Sequence, residues 1–186
     1  IAHPATLEPM PGVASSWEIS PNLRRYTFHL RSDARWSNGD PVTAADFLYS
    51  WRRALSPALG SQYTFLFFAV TGATDFAAGR NPDFQSVGFS APDAYTVVVQ
   101  LDSPTPHFLA IIANNPVWAP VHQATVGAAG GTTNRGSGWT KPESFVGNGP
   151  FTLTEWKPNE IIRIEKSPTY WNADAVRLHA VVYHAF

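Results

Sequence analysis

The chain has 186 residues, of which 44% are hydrophobic and 15% charged, so it can form a packed core and is not a disordered chain. Its 13 basic and 14 acidic residues leave a formal net charge of -1. That balance excludes the basic surface typical of nucleic-acid or anionic-membrane binding. The absence of cysteine excludes disulfides, thiolate catalysis and cysteine-ligated metals. No apolar run reaches the roughly 18 residues that a membrane-spanning helix needs.

The first half of the chain predicts strands followed by a capped helix. Residues 26–31 alternate between apolar and polar side chains, which is typical of a half-buried strand. The sequence WSNGDP at 36–41 predicts a turn. A helix is then predicted to begin at Thr43, with Asp46 as its capping partner, and to end before Pro57.

The other predicted elements include both strands, which alternate every second residue, and helices, in which apolar residues recur every three to four positions. The sequence therefore predicts a mixed α/β fold. In chain order they are a loop over 5–17 that ends in a short strand, two helical pieces within 61–76, a strand over 96–101, a helix over 107–114, a glycine-rich flexible loop over 127–138, two strands over 151–156 and 160–165 joined by a turn at 157–159, and a strand over 178–186.

Motifs for enzymatic or metal chemistry are missing from the sequence. It contains no nucleophile elbow, phosphate-binding loop or dinucleotide fingerprint. The six histidines show no metal-ligand spacing, and His29 is predicted to be an exposed strand residue. Asp33, Asp40 and Asp46 lie close in sequence, but Asp40 suits the turn and Asp46 suits the first turn of the helix. We therefore predict no metal, no cofactor and no catalytic site.

An ordered series of motifs resembles the oligopeptide- and dipeptide-binding proteins of bacterial ABC importers, which are extracellular solute-binding proteins of family 5. The first block contains PGVA at 11–14, WE at 17–18, YTFHLR at 26–31, WSNGDPVTAADF at 36–47 and YSW at 49–51. The second contains NGPF at 148–151, IEK at 164–166 and PTYWN at 168–172. Ser167 stands where the family has asparagine, a mild departure.

The resemblance implies a periplasmic-binding-protein-like fold of type II, of which this chain is part of the first lobe. Residues 1–121 resemble the family's extra small subdomain, and residues 122–186 resemble part of the large first-lobe sheet domain. The second lobe would be absent, which would account for a chain that stops within a hydrophobic strand. Trp17, Trp36 and Trp51 are expected to form a buried aromatic cluster rather than a ligand site.

The same resemblance implies a solute-binding component that captures peptides between two hinged lobes and delivers them to membrane permease subunits. It implies a monomer without enzymatic activity, in the periplasm or outside the cell. Whether a lipid anchor is attached stays open, because a signal segment would precede Ile1. Two alternatives are a non-peptide solute, such as a nickel chelate, an oligosaccharide or an opine, and a sensory or interaction domain that has lost transport.

Two candidate substrate-binding residues follow from the resemblance. Tyr63 falls where family members place a tyrosine that lines the peptide cleft. A phenol offers a flat apolar face and a hydrogen-bonding tip. Asn114 is the weaker candidate, at the end of the helix predicted over 107–114. Each has a plain structural alternative: Tyr63 as part of an aromatic helix, and Asn114 as an ordinary helix C-terminal residue.

Overall fold

The chain divides into two compact units in the computed structural model, which describes residues 1–184. Unit 1 contains Ile1–Arg31 and Thr43–Pro120, and unit 2 contains Ser32–Val42 and the chain from Val121 onward. Each unit contains an antiparallel sheet and helix, which confirms the predicted mixed α/β class. The boundary at 121/122 stays a prediction about the family's subdomains, although contacts group Ser32–Val42 with unit 2.

Unit 1 contains a four-stranded antiparallel sheet with the order β1-β2-β4-β3. Its strands are β1 (Ala14–Ile19), β2 (Arg25–Leu30), β3 (Phe89–Asp93) and β4 (Thr96–Gln100). The alternation predicted for β2 is confirmed, because Tyr26, Phe28 and Leu30 are all buried. Val97 and Val99 of β4 are buried as well, so the two central strands direct apolar side chains into the core.

Helix α1 (Ala44–Leu55) has the predicted cap. The backbone N–H of Thr43 donates to Oδ2 of Asp46 at 2.8 Å, which satisfies a donor that the helix itself leaves unpaired. Trp51 and Leu55, one turn apart, are buried against the sheet core. The helix ends at Leu55, since Ser56 is extended and Pro57 cannot continue it.

Short helices complete unit 1. They are α2 (Ala73–Ala77), α3 (Phe108–Asn114) and 3-10 helices at Thr64–Phe67, Phe84–Ser86 and Pro116–Trp118. The two helical pieces predicted within 61–76 are thus confirmed. The expected cluster of three tryptophans is wrong: Trp51 lies in the core of unit 1 and Trp17 is partly buried against it, whereas Trp36 belongs to unit 2.

Unit 2 contains a three-stranded antiparallel sheet with the order β5-β6-β7. The strands are β5 (Phe151–Lys157), β6 (Ile161–Lys166) and β7 (Ala180–His184), and the unit also contains helix α4 (Gln123–Ala128) and 3-10 helices at Gly138–Thr140 and Ala173–Ala175. The strand predicted over 178–186 is shorter at its start, and its last two residues lie outside the described part of the chain.

The flexible loop predicted over 127–138 is wrong at both ends. Gly127 lies within α4, and Gly138 begins a 3-10 helix. The physical reason is local: Val126 is fully buried, and the His122 ring caps the helix N-terminus. This anchoring outweighs the low helix propensity of one glycine, which is about 1 kcal/mol.

Candidate functional site

Tyr63 presents its ring on the surface of unit 1. It immediately precedes the 3-10 helix Thr64–Phe67, and the residue is 60% exposed. Its backbone N–H donates to the hydroxyl oxygen of Ser61 at 3.2 Å, and its carbonyl accepts from the N–H of Leu66 at 3.1 Å. Both backbone groups are therefore fixed while the ring stays accessible, an arrangement that suits contact with a ligand.

Aromatic packing anchors the segment that carries Tyr63 to the core of unit 1. Phe67 is fully buried, and its ring centroid lies 4.2 Å from that of Trp118. The indole N–H of Trp51 donates to the carbonyl of Trp118 at 3.0 Å. Helix α1 thus holds the residues on which the exposed turn rests, so the position of the turn depends on the core.

Two further exposed aromatic residues, Phe65 and Phe68, lie beside Tyr63 in the chain; sequence reasoning did not single them out. These two residues are 59% and 40% exposed. Three residues complete one turn of a 3-10 helix, so residues 65 and 68 share one side, whereas Phe67 points into the core. A three-residue period of large apolar side chains was the available signal.

Asn114 is the last residue of α3 and is exposed, as its predicted position requires. Its Nδ2 donates to the carbonyl of Leu7 at 3.2 Å and to that of Ala110 at 2.9 Å. Both bonds serve the fold: one closes the end of the helix and the other holds the N-terminal loop. No hydrogen bond joins Asn114 to Tyr63 in the part of the chain that the structure describes, so the two candidates are separate features of unit 1.

A buried polar cluster in unit 2 connects the WSNGDP turn to helix α4. His122 is 7% exposed. Its Nδ1 lies 2.8 Å from Oγ1 of Thr125 and 3.4 Å from the backbone N–H of Thr125, and its Nε2 lies 3.0 Å from Oδ2 of Asp40. A backbone N–H can only donate, so Nδ1 accepts and Nε2 carries the proton that is donated to Asp40. The Trp36 ring packs edge-on against the imidazole at 5.2 Å.

The members of this cluster stabilise the fold by joining the turn at 36–41 to helix α4. His122 caps α4 and fixes the turn, and Nδ2 of Asn38 donates to the same Asp40 oxygen at 2.7 Å. His29 is partly exposed on β2 and pairs with Glu18 at 3.0 Å. Among residues 1–184, no group of three or more histidines and carboxylates is arranged to hold a metal ion.

No helix within the described residues is long and apolar enough to cross a membrane.

Residues 8–186 match the family described as bacterial extracellular solute-binding proteins, family 5 Middle. The chain is 38% identical over 174 residues to the dipeptide-binding protein DppE of Bacillus subtilis. It is 39% identical over 177 residues to the periplasmic oligopeptide-binding protein OppA of Escherichia coli. Each match covers 94% of this chain and 31% of the relative, so the chain spans about a third of the length of these relatives.

A solved structure gives the same result in three dimensions. OppA of Burkholderia pseudomallei superimposes with a TM-score of 0.86 at 40% sequence identity, over 95% of this chain and 33% of that one. The similarity includes both units, because the aligned region spans nearly the whole sequence.

Proposed function

The chain belongs to the bacterial extracellular solute-binding proteins of family 5, and from this premise we propose that it is one part of a longer peptide-binding protein that supplies an ABC importer. The observation that carries the proposal is the match over 94% of the chain to proteins named for binding dipeptides and oligopeptides. We also propose that residues 1–121 are the small subdomain of the first lobe and that residues 122–186 are part of its large sheet domain.

Capture of a peptide in this proposal requires only non-covalent contacts, for which Tyr63 is suited. Its exposed ring can pack against a peptide, and its hydroxyl can exchange hydrogen bonds with peptide N–H and C=O groups. Asn114 is the second proposed contact; its Oδ1 acceptor remains available beside the two bonds that Nδ2 donates. Closure of a second lobe over the peptide would complete the site.

The partners in this proposal are a peptide and the permease subunits of the importer. The near-neutral charge supports the exclusion of nucleic acid. We propose that the protein is a monomer, that it acts in the periplasm or outside the cell, and that it has no enzymatic activity and no cofactor. The relatives named as periplasmic binding proteins support this location and role.

The test is to isolate the full-length protein that contains this chain and identify what it binds. Native mass spectrometry of the purified protein should show a series of co-purifying peptide masses. Titration calorimetry with synthetic peptides of two to six residues should then give dissociation constants near the micromolar range, about -8 kcal/mol. A single non-peptide ligand, such as a nickel chelate or an oligosaccharide, would overturn the peptide assignment and leave a solute-binding role.

If the purified full-length protein carries no ligand and binds no peptide, the sensory or interaction alternative is favoured. The discriminating measurement is uptake: deletion of the gene should abolish peptide uptake by cells, and a strain that carries the wild-type gene should regain it. Normal uptake in the deletion strain would contradict a transport role.

A further inference from the structure

The turn at 36–41 contains Asn38–Gly39, and the chain has a second Asn–Gly dipeptide at Asn148–Gly149. Asparagine side chains are among the thermolabile groups of proteins. The backbone nitrogen of the next residue can attack the side-chain carbonyl carbon. A glycine hinders this approach least, because it has no Cβ and adopts the widest range of backbone conformations. Each dipeptide is thus a candidate site for chemical loss of the amide, and the structure distinguishes the two.

The two glycines offer the same access to their nitrogen atoms. Among the described residues, no atom lies within 4 Å of the position that a Cβ would take at Gly39 or at Gly149. Crowding around the attacking residue therefore does not separate the two sites. The difference between them lies in the asparagine side chains.

The side chain of Asn38 is exposed, and its amide is held in one orientation by Asp40. The backbone N–H of Asp40 donates to Oδ1 of Asn38 at 3.1 Å, and Nδ2 of Asn38 donates to Oδ2 of Asp40 at 2.7 Å. A donor on Oδ1 stabilises the negative charge that develops on this oxygen when the carbonyl carbon is attacked. Because the residue is exposed, the nitrogen that leaves can take a proton from water.

Asn148 has the opposite environment. The residue is partly buried, and its Nδ2 is buried without a hydrogen-bond partner among residues 1–184. Water does not reach the nitrogen that would have to leave, so the reaction there requires a local opening of the fold. Asn148–Gly149 is therefore a matched internal reference for Asn38–Gly39.

We propose that Asn38 is a site of spontaneous deamidation. The backbone N–H of Gly39 donates to the carbonyl of Trp36 at 2.9 Å, and this bond has to open first, which an exposed turn permits. The Gly39 nitrogen then loses its proton to hydroxide and forms a bond to Cγ of Asn38. The bond from Cγ to Nδ2 breaks, and the nitrogen leaves as ammonia with a proton from water. A second water molecule opens the cyclic imide and leaves aspartate or isoaspartate at position 38.

The modification changes the hydrogen bonds around Asp40. Nδ2 of Asn38 and Nε2 of His122 both lie beside Oδ2 of Asp40, at 2.7 and 3.0 Å. Deamidation replaces the first of these donors with a carboxylate oxygen, which can only accept. It also adds one negative charge next to Asp40. Of the two donors only His122 is left, so deamidation weakens the connection between the turn and helix α4.

The test compares the two dipeptides in the full-length protein that contains this chain. The folded protein is incubated in mildly alkaline buffer, which supplies hydroxide, and a second sample is incubated unfolded in urea. Proteolytic digestion and mass spectrometry then measure deamidation at 38 and at 148 over time, from the mass increase when NH₂ is replaced by OH. Residue 38 should react about tenfold faster than residue 148 in the folded protein, and at a similar rate in urea.

Equal rates in the folded protein, or a faster reaction at 148, would overturn the proposal. Asn38 that stays intact in the folded protein while it reacts in urea would overturn it as well. Asn38→Gln is the matched control: it keeps an amide, but its longer side chain would have to close a larger ring, so position 38 should stay unmodified.

Asn38→Asp reproduces the aspartate product and tests the effect on Asp40. Amide hydrogen exchange in the turn and at the start of α4 should be about tenfold faster than in the wild type. Combining Asn38→Asp with Asp40→Asn leaves one carboxylate in place of two and should restore part of the protection. Unchanged exchange in Asn38→Asp would overturn the proposed weakening. None of these measurements depends on peptide binding, so they hold even where the proposed function fails.

Discussion

The indole N–H of Trp51 donates to the main-chain carbonyl of Trp118, a residue 67 positions away, at 3.0 Å. This bond joins helix α1 to the segment under the exposed aromatic turn. The indole N–H of Trp118 itself is buried without a hydrogen-bond partner in the described chain. The rings of the two tryptophans are in contact, at a centroid distance of 5.4 Å. The indole N–H is hydrogen-bonded in Trp51 and unpaired in Trp118.

The first prediction compares Trp51→Phe with Trp118→Phe. Both remove the same atoms from the core, but Trp51→Phe leaves a buried carbonyl unpaired, whereas Trp118→Phe removes an unpaired donor. Trp51→Phe should therefore destabilise the protein by about 1–3 kcal/mol more than Trp118→Phe. Urea unfolding followed by far-ultraviolet circular dichroism measures both. Equal losses would show that the hydrogen bond contributes nothing.

A second prediction concerns His122. His122→Ala removes both the helix cap and the donor to Asp40, and should destabilise unit 2 by about 1–3 kcal/mol. His122→Asn should recover part of this loss, since asparagine is a good N-cap but is too short to reach Asp40. Amide hydrogen exchange provides the readout: the alanine variant should lose protection in both α4 and the turn at 36–41, and the asparagine variant mainly in the turn. Unchanged exchange in the turn would contradict the link.

The elements with strong local patterns could be predicted from the sequence. Strand β2 alternates over six residues, and α1 has its cap, its apolar stripe and its stop within 15 positions. No strand was predicted over β3, because proline normally ends a strand and Pro92 lies within this one. The proline is tolerated since β3 is at the edge of its sheet, where one side of the backbone needs no partner.

The candidate site could be predicted only in part. The resemblance identified Tyr63, and its exposure is compatible with that assignment, but Phe65, Phe67 and Phe68 could not be sorted into surface and core without the 3-10 geometry. The pairing of His122 with Asp40 joins residues 82 positions apart. Local propensity carries no information about such a contact, and a single sequence gives no covariation from which to infer it.

The third prediction concerns peptide affinity. Tyr63→Ala in the full-length protein should weaken binding about 5- to 30-fold, or 1–2 kcal/mol, because it removes an exposed aromatic surface. Tyr63→Phe separates the ring from the hydroxyl and should retain part of the affinity. Ile19→Ala, at an exposed apolar residue of β1, is the control and should bind as wild type. Wild-type affinity for Tyr63→Ala, measured by titration calorimetry, would refute the role of Tyr63.

The fourth prediction follows from the turn between β3 and β4. The N–H of Tyr95 donates to Oδ1 of Asp93 at 2.8 Å, and this bond, followed by that of the Thr96 side chain, lowers the pKa of Asp93. A carboxyl group whose folded pKa is lowered stabilises the protein above its unfolded pKa of about 3.9 and loses that contribution as the pH falls through the folded value. Asp93→Asn keeps an acceptor but not the charge. Its urea midpoint should fall less between pH 6 and pH 3 than that of the wild type; identical decreases would contradict the prediction.

The last prediction separates backbone strain from steric overlap at two glycines. Gly72 and Gly130 have nearly equal positive φ angles, 71° and 68°. A side chain at either position adopts a left-handed conformation, which costs about 1–2 kcal/mol. At Gly72 an added Cβ would also lie 2.7 Å from the main-chain oxygen of Ser86, whereas nothing lies within 4 Å at Gly130.

Gly72→Ala should therefore destabilise the protein more than Gly130→Ala, which should show the conformational term alone. The excess reflects movement of the backbone around Ser86, because a main-chain oxygen cannot turn aside as a flexible side chain can. Chemical denaturation of the two variants measures the difference directly. If Gly130→Ala were as destabilising as Gly72→Ala, the overlap with Ser86 would be relieved without cost, and the close approach of the two segments would not constrain this part of unit 1.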